Sequence, residues 1–137
     1  MKKTGLDALT ILYQLIADSA LKTAISGGVY KLKRPLGSQL EDIVLNALPF
    51  NADQVQIGTI NANLYVPNLK EKIGGKEQEV ADLARMQELV NLATSLFAEH
   101  YDASYDFWLV NVATLEEEET GQFYTNLRID FKFFPTD

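Results

Sequence analysis

Residues 123–134 read FYTNLRIDFKFF, and apolar and polar side chains alternate along almost the whole stretch. Because successive side chains of a β-strand point to opposite faces of a sheet, this alternation predicts a strand with one buried and one polar face. The predicted inward residues are Leu127, Ile129, Phe131 and Phe133, and the predicted outward residues are Asn126, Arg128, Asp130 and Lys132.

A second alternating stretch covers residues 55–66. One predicted face is apolar or small and consists of Gly58, Ile60, Ala62, Leu64 and Val66. The other face is partly polar and consists of Ile57, Thr59, Asn61, Asn63 and Tyr65. We expect this polar face to meet water or a neighbouring subunit.

Residues 105–114 form a further predicted strand. Its two faces are Phe107, Leu109 and Asn111 on one side and Trp108, Val110 and Val112 on the other. The acidic stretch EEEETG at 116–121 separates this strand from residues 123–134, which predicts an antiparallel hairpin with a longer loop. Consecutive carboxylates lack the alternating ligand spacing of a calcium loop, so the stretch is interpreted as a solvated hairpin tip.

Two stretches carry apolar residues at helical spacing. Residues 4–24 and residues 78–100 each predict an amphipathic helix with one apolar stripe. Between them, residues 29–33 alternate and predict a short strand. The polar segment 67–78, with its Gly74-Gly75 pair, predicts a flexible loop.

Residues 38–48 fit two structures. Ser38 and Glu41 have the spacing of a helix capping box, whereas residues 42–48 have a β-branched centre and stop at Pro49. A strand is favoured, because a helix would leave strand 55–66 without an obvious partner.

The order helix-strand-strand-strand-helix-strand-strand indicates an α+β fold. We expect a single domain over residues 1–137, with a mainly antiparallel sheet of four to five strands and two amphipathic helices packed on one face. The face that carries Arg128, Asp130 and Lys132 is expected to be left to water.

Composition narrows the class of protein. The chain of 137 residues has a net charge of −7, which argues against direct binding to nucleic acid. It has no cysteine, no apolar stretch long enough for a membrane helix and no secretory apolar region after Met1. These features predict a cytoplasmic protein without membrane contact.

No recognisable motif for chemistry occurs in the sequence. The single histidine, His100, ends a predicted helix and is interpreted as a cap of the helix dipole. The glycine pairs lack a phosphate-binding pattern. We therefore predict no catalytic residue, no metal site and no cofactor, and give an enzyme the lowest weight.

The polar faces of the predicted strands are the candidate protein interface. If Phe107 and Phe133 point inward, then Trp108, Tyr124 and Phe134 point outward. Outward aromatic residues suit an interface, although a place in the core is an equally good interpretation. The candidate interface residues are Trp108, Tyr124, Arg128, Asp130, Lys132, Asn61, Asn63 and Tyr65.

Several stretches in this order resemble a known group of proteins. They are GGVY at 27–30, KRP at 33–35, EDIVL at 41–45, QIG at 56–58 and NANLYVP at 61–67. A long helix, a hairpin and a strand rich in Tyr and Phe follow. The chain resembles small prophage-type proteins and, more distantly, the tail-completion and tail-terminator proteins that join head and tail in tailed bacteriophages.

The resemblance implies a ring of α+β subunits that caps the tail tube. Its partners would be other copies of itself and tail-tube or connector proteins. It also implies that residues 42–45 form a strand pairing near residues 61–66, and it carries over no catalytic residue. The alternative function is a small protein-binding module or adaptor encoded on a mobile element, without catalysis.

Overall fold

The computed structural model describes residues 2–135. Within them the chain forms three helices and eight strands. These are α1 Gly5–Ala17, α2 Ala20–Ala24, β1 Val29–Lys31, β2 Asp42–Ala47, β3 Gln56–Val66, β4 Leu69–Ile73, β5 Lys76–Val80, α3 Leu83–Phe97, β6 Glu99–Tyr101, β7 Tyr105–Glu116 and β8 Phe123–Phe133.

The main sheet has six strands in the order β1-β2-β3-β8-β7-β6, and a separate two-stranded sheet consists of β4 and β5. The α+β class is confirmed. The prediction of a single sheet with four to five strands is wrong, because the main sheet has six strands and β4 and β5 form a second sheet. In the main sheet β1 pairs parallel to β2 and the other neighbours pair antiparallel. Residues 32–41 return the chain to the end of the sheet where β1 begins, so β2 runs in the same direction.

The ambiguous segment 38–48 contains a strand, as favoured. β2 pairs antiparallel with β3, from Asp42 opposite Tyr65 to Ala47 opposite Ile60. Ser38 does not begin a helix. Its hydroxyl instead donates a hydrogen bond to the Asp42 carboxylate at 2.5 Å.

Both predicted helices are shorter than the periodicity indicates. Residues 4–24 divide into α1 and α2, because Ser19 takes an extended conformation and its hydroxyl hydrogen-bonds the Ile16 carbonyl at 2.6 Å. The helix predicted over 78–100 begins after Asp82, whose side chain accepts a hydrogen bond from the Arg85 backbone N–H. The fold therefore has three helices rather than two, of which α1 and α3 pack on the sheet and α2 packs against α1 and α3.

The segment predicted as a flexible loop, residues 67–78, contributes most of the β4–β5 hairpin. Gly74 and Gly75 form its two-residue turn at φ 59° and 81°, and two positive φ values are what the type I′ hairpin turn needs. The flanking strands consist mostly of Lys, Glu and Gln, which are depleted in strands. The composition of these two strands therefore gave no indication of a hairpin. We call residues 69–80 the arm.

The core lies between the helices and one face of the six-stranded sheet. The predicted inward residues of β8 and β3 are all buried there, together with the apolar stripes of α1 and α3. Each fully buried Leu, Ile or Phe contributes roughly 1.5–3 kcal/mol relative to an exposed one. The opposite face of the sheet carries the polar side chains of the same strands.

A bulge in β7 changes which side chains point outward. Leu109 pairs with Ile129, whereas Asn111 pairs with the next residue along, Arg128, so Val110 is the extra residue. After the bulge, Asn111 shares the polar face of Arg128, and Val112 shares the face of Leu127. The predicted grouping of Asn111 with Phe107 and Leu109 is therefore wrong, since a period of two slips by one residue at a bulge.

No helix in residues 2–135 combines the length and apolar character that crossing a bilayer requires.

Candidate interface on the open face of the sheet

All eight candidate interface residues lie on the face of the sheet opposite the helices. The pairing register places Asn61 beside Arg128, Tyr65 beside Tyr124, and Trp108 beside Asp130. We call this surface the open face. It is defined by Asn46, Thr59, Asn61, Asn63, Tyr65, Trp108, Asn111, Tyr124, Asn126, Arg128, Asp130 and Lys132.

A ladder of asparagine side chains crosses the middle of the open face. The Asn126 amide donates to the side-chain oxygens of Asn63 at 2.8 Å and Asn61 at 3.2 Å. The Asn61 amide donates in turn to Asn46 of β2 at 3.3 Å. These bonds fix the side chains before any partner arrives, which reduces the conformational entropy lost on binding.

Aromatic rings occupy the end of the open face nearest the acidic turn. The Tyr65 and Tyr124 ring centroids are 5.0 Å apart, and the Arg34 guanidinium lies 4.1 Å from the Tyr65 ring. The Tyr65 hydroxyl donates to the Glu117 carboxylate at 2.8 Å. Burial, followed by this hydrogen bond, raises the pKa of Tyr65. The phenol therefore stays protonated at neutral pH and acts as a donor.

Charged groups occupy the other end. The Thr59 hydroxyl donates to Asp130 at 2.7 Å, and the Lys132 ammonium lies 5.6 Å from the Phe134 ring. Arg128 is exposed and forms no ion pair with any residue in the part of the chain described. An exposed guanidinium at the centre of a flat face is well placed to bind a carboxylate of a partner, because it presents donors in a fixed fork.

Trp108 lies half-buried on β7, directly opposite Asp130. Phe107 and Phe133 point into the core with 3% and 2% of their surfaces exposed, so Trp108 and Tyr124 point outward, as the alternation requires.

Sequence reasoning missed Asn46 and Asn111 as members of this surface. Asn46 lay in the ambiguous segment, and the bulge displaced Asn111 from the expected face.

His100 does not cap a helix, contrary to the sequence interpretation. It lies in β6, where its ring stacks on Tyr105 at 4.8 Å and Phe107 at 5.2 Å. Its Nε2 is 2.6 Å from the Asp102 carboxylate. The hydrogen bond from His100 and two backbone N–H groups hold the pKa of Asp102 at about 2. This pair fastens the turn between β6 and β7.

Neither clustered metal-ligating side chains nor similarity to known proteins indicates a second candidate site in the described residues. Over residues 2–135, no three Asp, Glu or His side chains converge as metal ligands would. No protein-family model matches the chain, and a comparison with curated proteins finds no match. The open face therefore stands as the candidate site in the described residues.

Proposed function

We propose that this protein is a structural assembly subunit of a phage or prophage particle, of the tail-terminator or tail-completion type. It acts through protein–protein contacts in a ring of identical copies. The observation that carries the proposal is the open face, whose aromatic and amide side chains are pre-ordered while no helix covers them. The order of elements and the motifs quoted above supply the particular type.

The chemistry of the open face favours a protein partner. Trp, Tyr and Arg are the residue types most often found at the energetic centres of protein interfaces, and Trp108, Tyr124 and Arg128 lie on adjacent strands of this face. Antiparallel sheets often leave one face to water. A face that serves only for solvation does not require side chains bonded to one another across three strands, as Asn46, Asn61 and Asn126 are.

Net charge limits how copies can meet. A chain with a net charge of −7 repels its own copies at long range, so a stable contact needs local complementarity. The open face supplies Arg128 and Lys132, and the turn after β7 supplies Glu116 to Glu119. Two different patches of this kind give a heterologous contact, which closes into a ring when the rotation between copies is suitable.

Trp108 provides the test, because it is the single tryptophan of the chain. If the open face is buried between copies, raising the concentration of the wild-type protein will shift its fluorescence to shorter wavelength and reduce quenching by acrylamide. Arg128→Glu reverses the free charge at the centre of the face. We expect it to weaken self-association at least about tenfold, since an interfacial charge pair becomes a repulsive one.

Lys22→Glu is the matched control, because it makes the same charge change on α2, on the helical side of the molecule. It should associate like the wild type. Association without any change in Trp108 fluorescence would remove the open face from the interface. A wild-type protein that never associates would favour the adaptor function instead.

A further inference from the structure

The second half of β7 is an unpaired sheet edge. β6 pairs with β7 only from Asp106 to Trp108, while β8 pairs with β7 as far as Glu116. Among the described residues, therefore, no strand pairs with residues 110–116 on the side away from β8. After the bulge, the pairing with β8 is regular from Asn111 to Glu116, so the free side of this segment presents an uninterrupted row of backbone donors and acceptors.

Apart from the bulge at Val110, the features that usually protect an edge are missing from residues 111–115. Natural edges are shortened, charged with Lys, interrupted by Pro or twisted by a bulge. The opposite edge of the sheet follows this rule, because β1 has three residues and is followed by Leu32 with φ 72°, then by Lys33 and Pro35. Residues 110–115 instead contain no charged residue, and Val110, Val112 and Leu115 are 50%, 40% and 46% exposed.

The arm is a hairpin that the other described elements of the chain do not cover. Residues 69–79 are all exposed, and a two-stranded hairpin alone is only marginally stable in water. Leu69 and Ile73 lie on one face of the arm with 43% and 49% of their surfaces exposed. At its base, the Asn68 amide donates to the Gly121 carbonyl at 2.8 Å, which fixes where the arm leaves the sheet.

The first strand of the arm complements the open edge in length and charge. β4 has five residues and carries two lysines and one glutamate, Lys70, Glu71 and Lys72. β5 carries the reverse, Lys76, Glu77 and Glu79, so β4 is net positive and β5 is net negative. The open edge is of similar length and runs into Glu116 and the three glutamates that follow it. If β4 pairs with this edge, its lysines approach the glutamates at the end of the edge. If β5 paired there instead, its glutamates would approach those same glutamates and repel them.

We propose that β4 of one copy pairs with residues 110–116 of β7 in a second copy, extending the main sheet from one subunit into the next. The contact is strand addition, in which backbone hydrogen bonds supply affinity and side chains supply register. It rests on the proposed function, since it supplies one contact of the ring. Because the arm and the edge are different surfaces, each copy uses one of them towards each of its two neighbours.

The absence of cysteine makes the test direct. Two single-cysteine variants on the arm, Glu71→Cys and Lys72→Cys, are each mixed with Asn111→Cys or Thr114→Cys and oxidised gently. All four positions are exposed. The two arm positions are adjacent and the two edge positions are three residues apart, so each pair places one cysteine on each face of its strand. A disulfide forms only when the two Cα atoms come within roughly 7 Å, so a mixed dimer reports strand-to-strand contact between copies.

The matched control replaces the edge variants with Lys31→Cys, which is exposed on the protected edge. At least one arm-and-edge mixture should give several times more mixed dimer than the control mixtures. If the wild type associates but no such mixture exceeds its control, strand addition is overturned and the proposed function stands. If the wild type does not associate at all and no mixture cross-links, both are overturned.

Discussion

Arg85 joins three parts of the molecule through a single side chain. Its guanidinium donates to the Glu41 carboxylate at 2.6 and 2.9 Å, to the Ala24 carbonyl at 2.7 Å and to Glu88 at 3.0 Å. Glu41 is almost buried and also accepts a hydrogen bond from the Ser26 backbone N–H. The two residues thus fasten α3 and the end of α2 to the segment that leads into β2.

Glu41 makes the stability of the fold depend on pH in the acidic range. The hydrogen bond from Arg85 lowers the pKa of Glu41 below 4.5 in the folded state. Its contribution to stability is therefore complete above the unfolded pKa of about 4.5 and is lost as the pH falls through the lower folded value. Glu41→Gln should reduce the free energy of unfolding by about 1–3 kcal/mol at pH 7, with a smaller difference from the wild type below pH 4.

Denaturant unfolding at several pH values measures this difference. Glu88→Gln is the control, because Glu88 pairs with the same arginine but is exposed, and exposed pairs contribute about 1 kcal/mol or less. A Glu41→Gln protein as stable as the wild type at pH 7 would show that the pair is not part of what holds α3.

Gly27 illustrates what single residues reveal only in the structure. In the sequence, the glycine pair at 27–28 follows the helical stretch 4–24 and is typical of the end of a helix. In the fold, a Cβ at Gly27 would lie 2.0 Å from the carboxylate of Asp42, which is fully buried. Glycine is therefore needed because another strand approaches closely. Such a contact between residues far apart in sequence leaves no local pattern.

Among the elements, the long strands were predictable, and so was the short β1, which lies within the predicted strand 29–33. The alternation in β3 and β8 extends over eleven residues in each strand, and the two inward sets are buried as predicted. β6 and the arm were missed, because three residues at a helix end and ten mostly charged residues carry no usable period. These elements depend on pairing rather than on a buried face.

The arm can be weakened without touching the domain. Gly75 has φ 81° and nothing within 4 Å of the position of a Cβ, so Gly75→Val strains only the turn. A β-branched residue at positive φ costs on the order of 1–2 kcal/mol, which is enough to disturb a marginal hairpin. We expect an unchanged melting temperature of the domain and a loss of arm-to-edge cross-linking.

Gly37→Val is the control for that variant. Gly37 also has a positive φ, 75°, and also faces open space. It lies in the segment between β1 and β2, outside the arm itself, so cross-linking should survive. Equal cross-linking by the Gly75→Val and wild-type arms would contradict a role for the ordered hairpin.

For the whole molecule, two-residue periodicity was sufficient to place all eight candidate residues on one face. It was not sufficient to define the surface, because the bulge at Val110 moved Asn111 onto it and the ladder partner Asn46 lay in an ambiguous segment. The sequence also gave no sign of the open edge of β7. An edge is a property of strand order, and strand order depends on pairings between distant parts of the chain.

Ring assembly is the central claim, and the absolute molar mass of the intact chain tests it most directly. Light scattering over a wide range of concentration, at low and high salt, should show a plateau at one integer multiple of 15.3 kDa. High salt should change the concentration at which the plateau is reached and not its mass, since charged contacts between exposed groups are screened. A mass equal to a single chain at every concentration, or one that grows without a plateau, would contradict a closed ring.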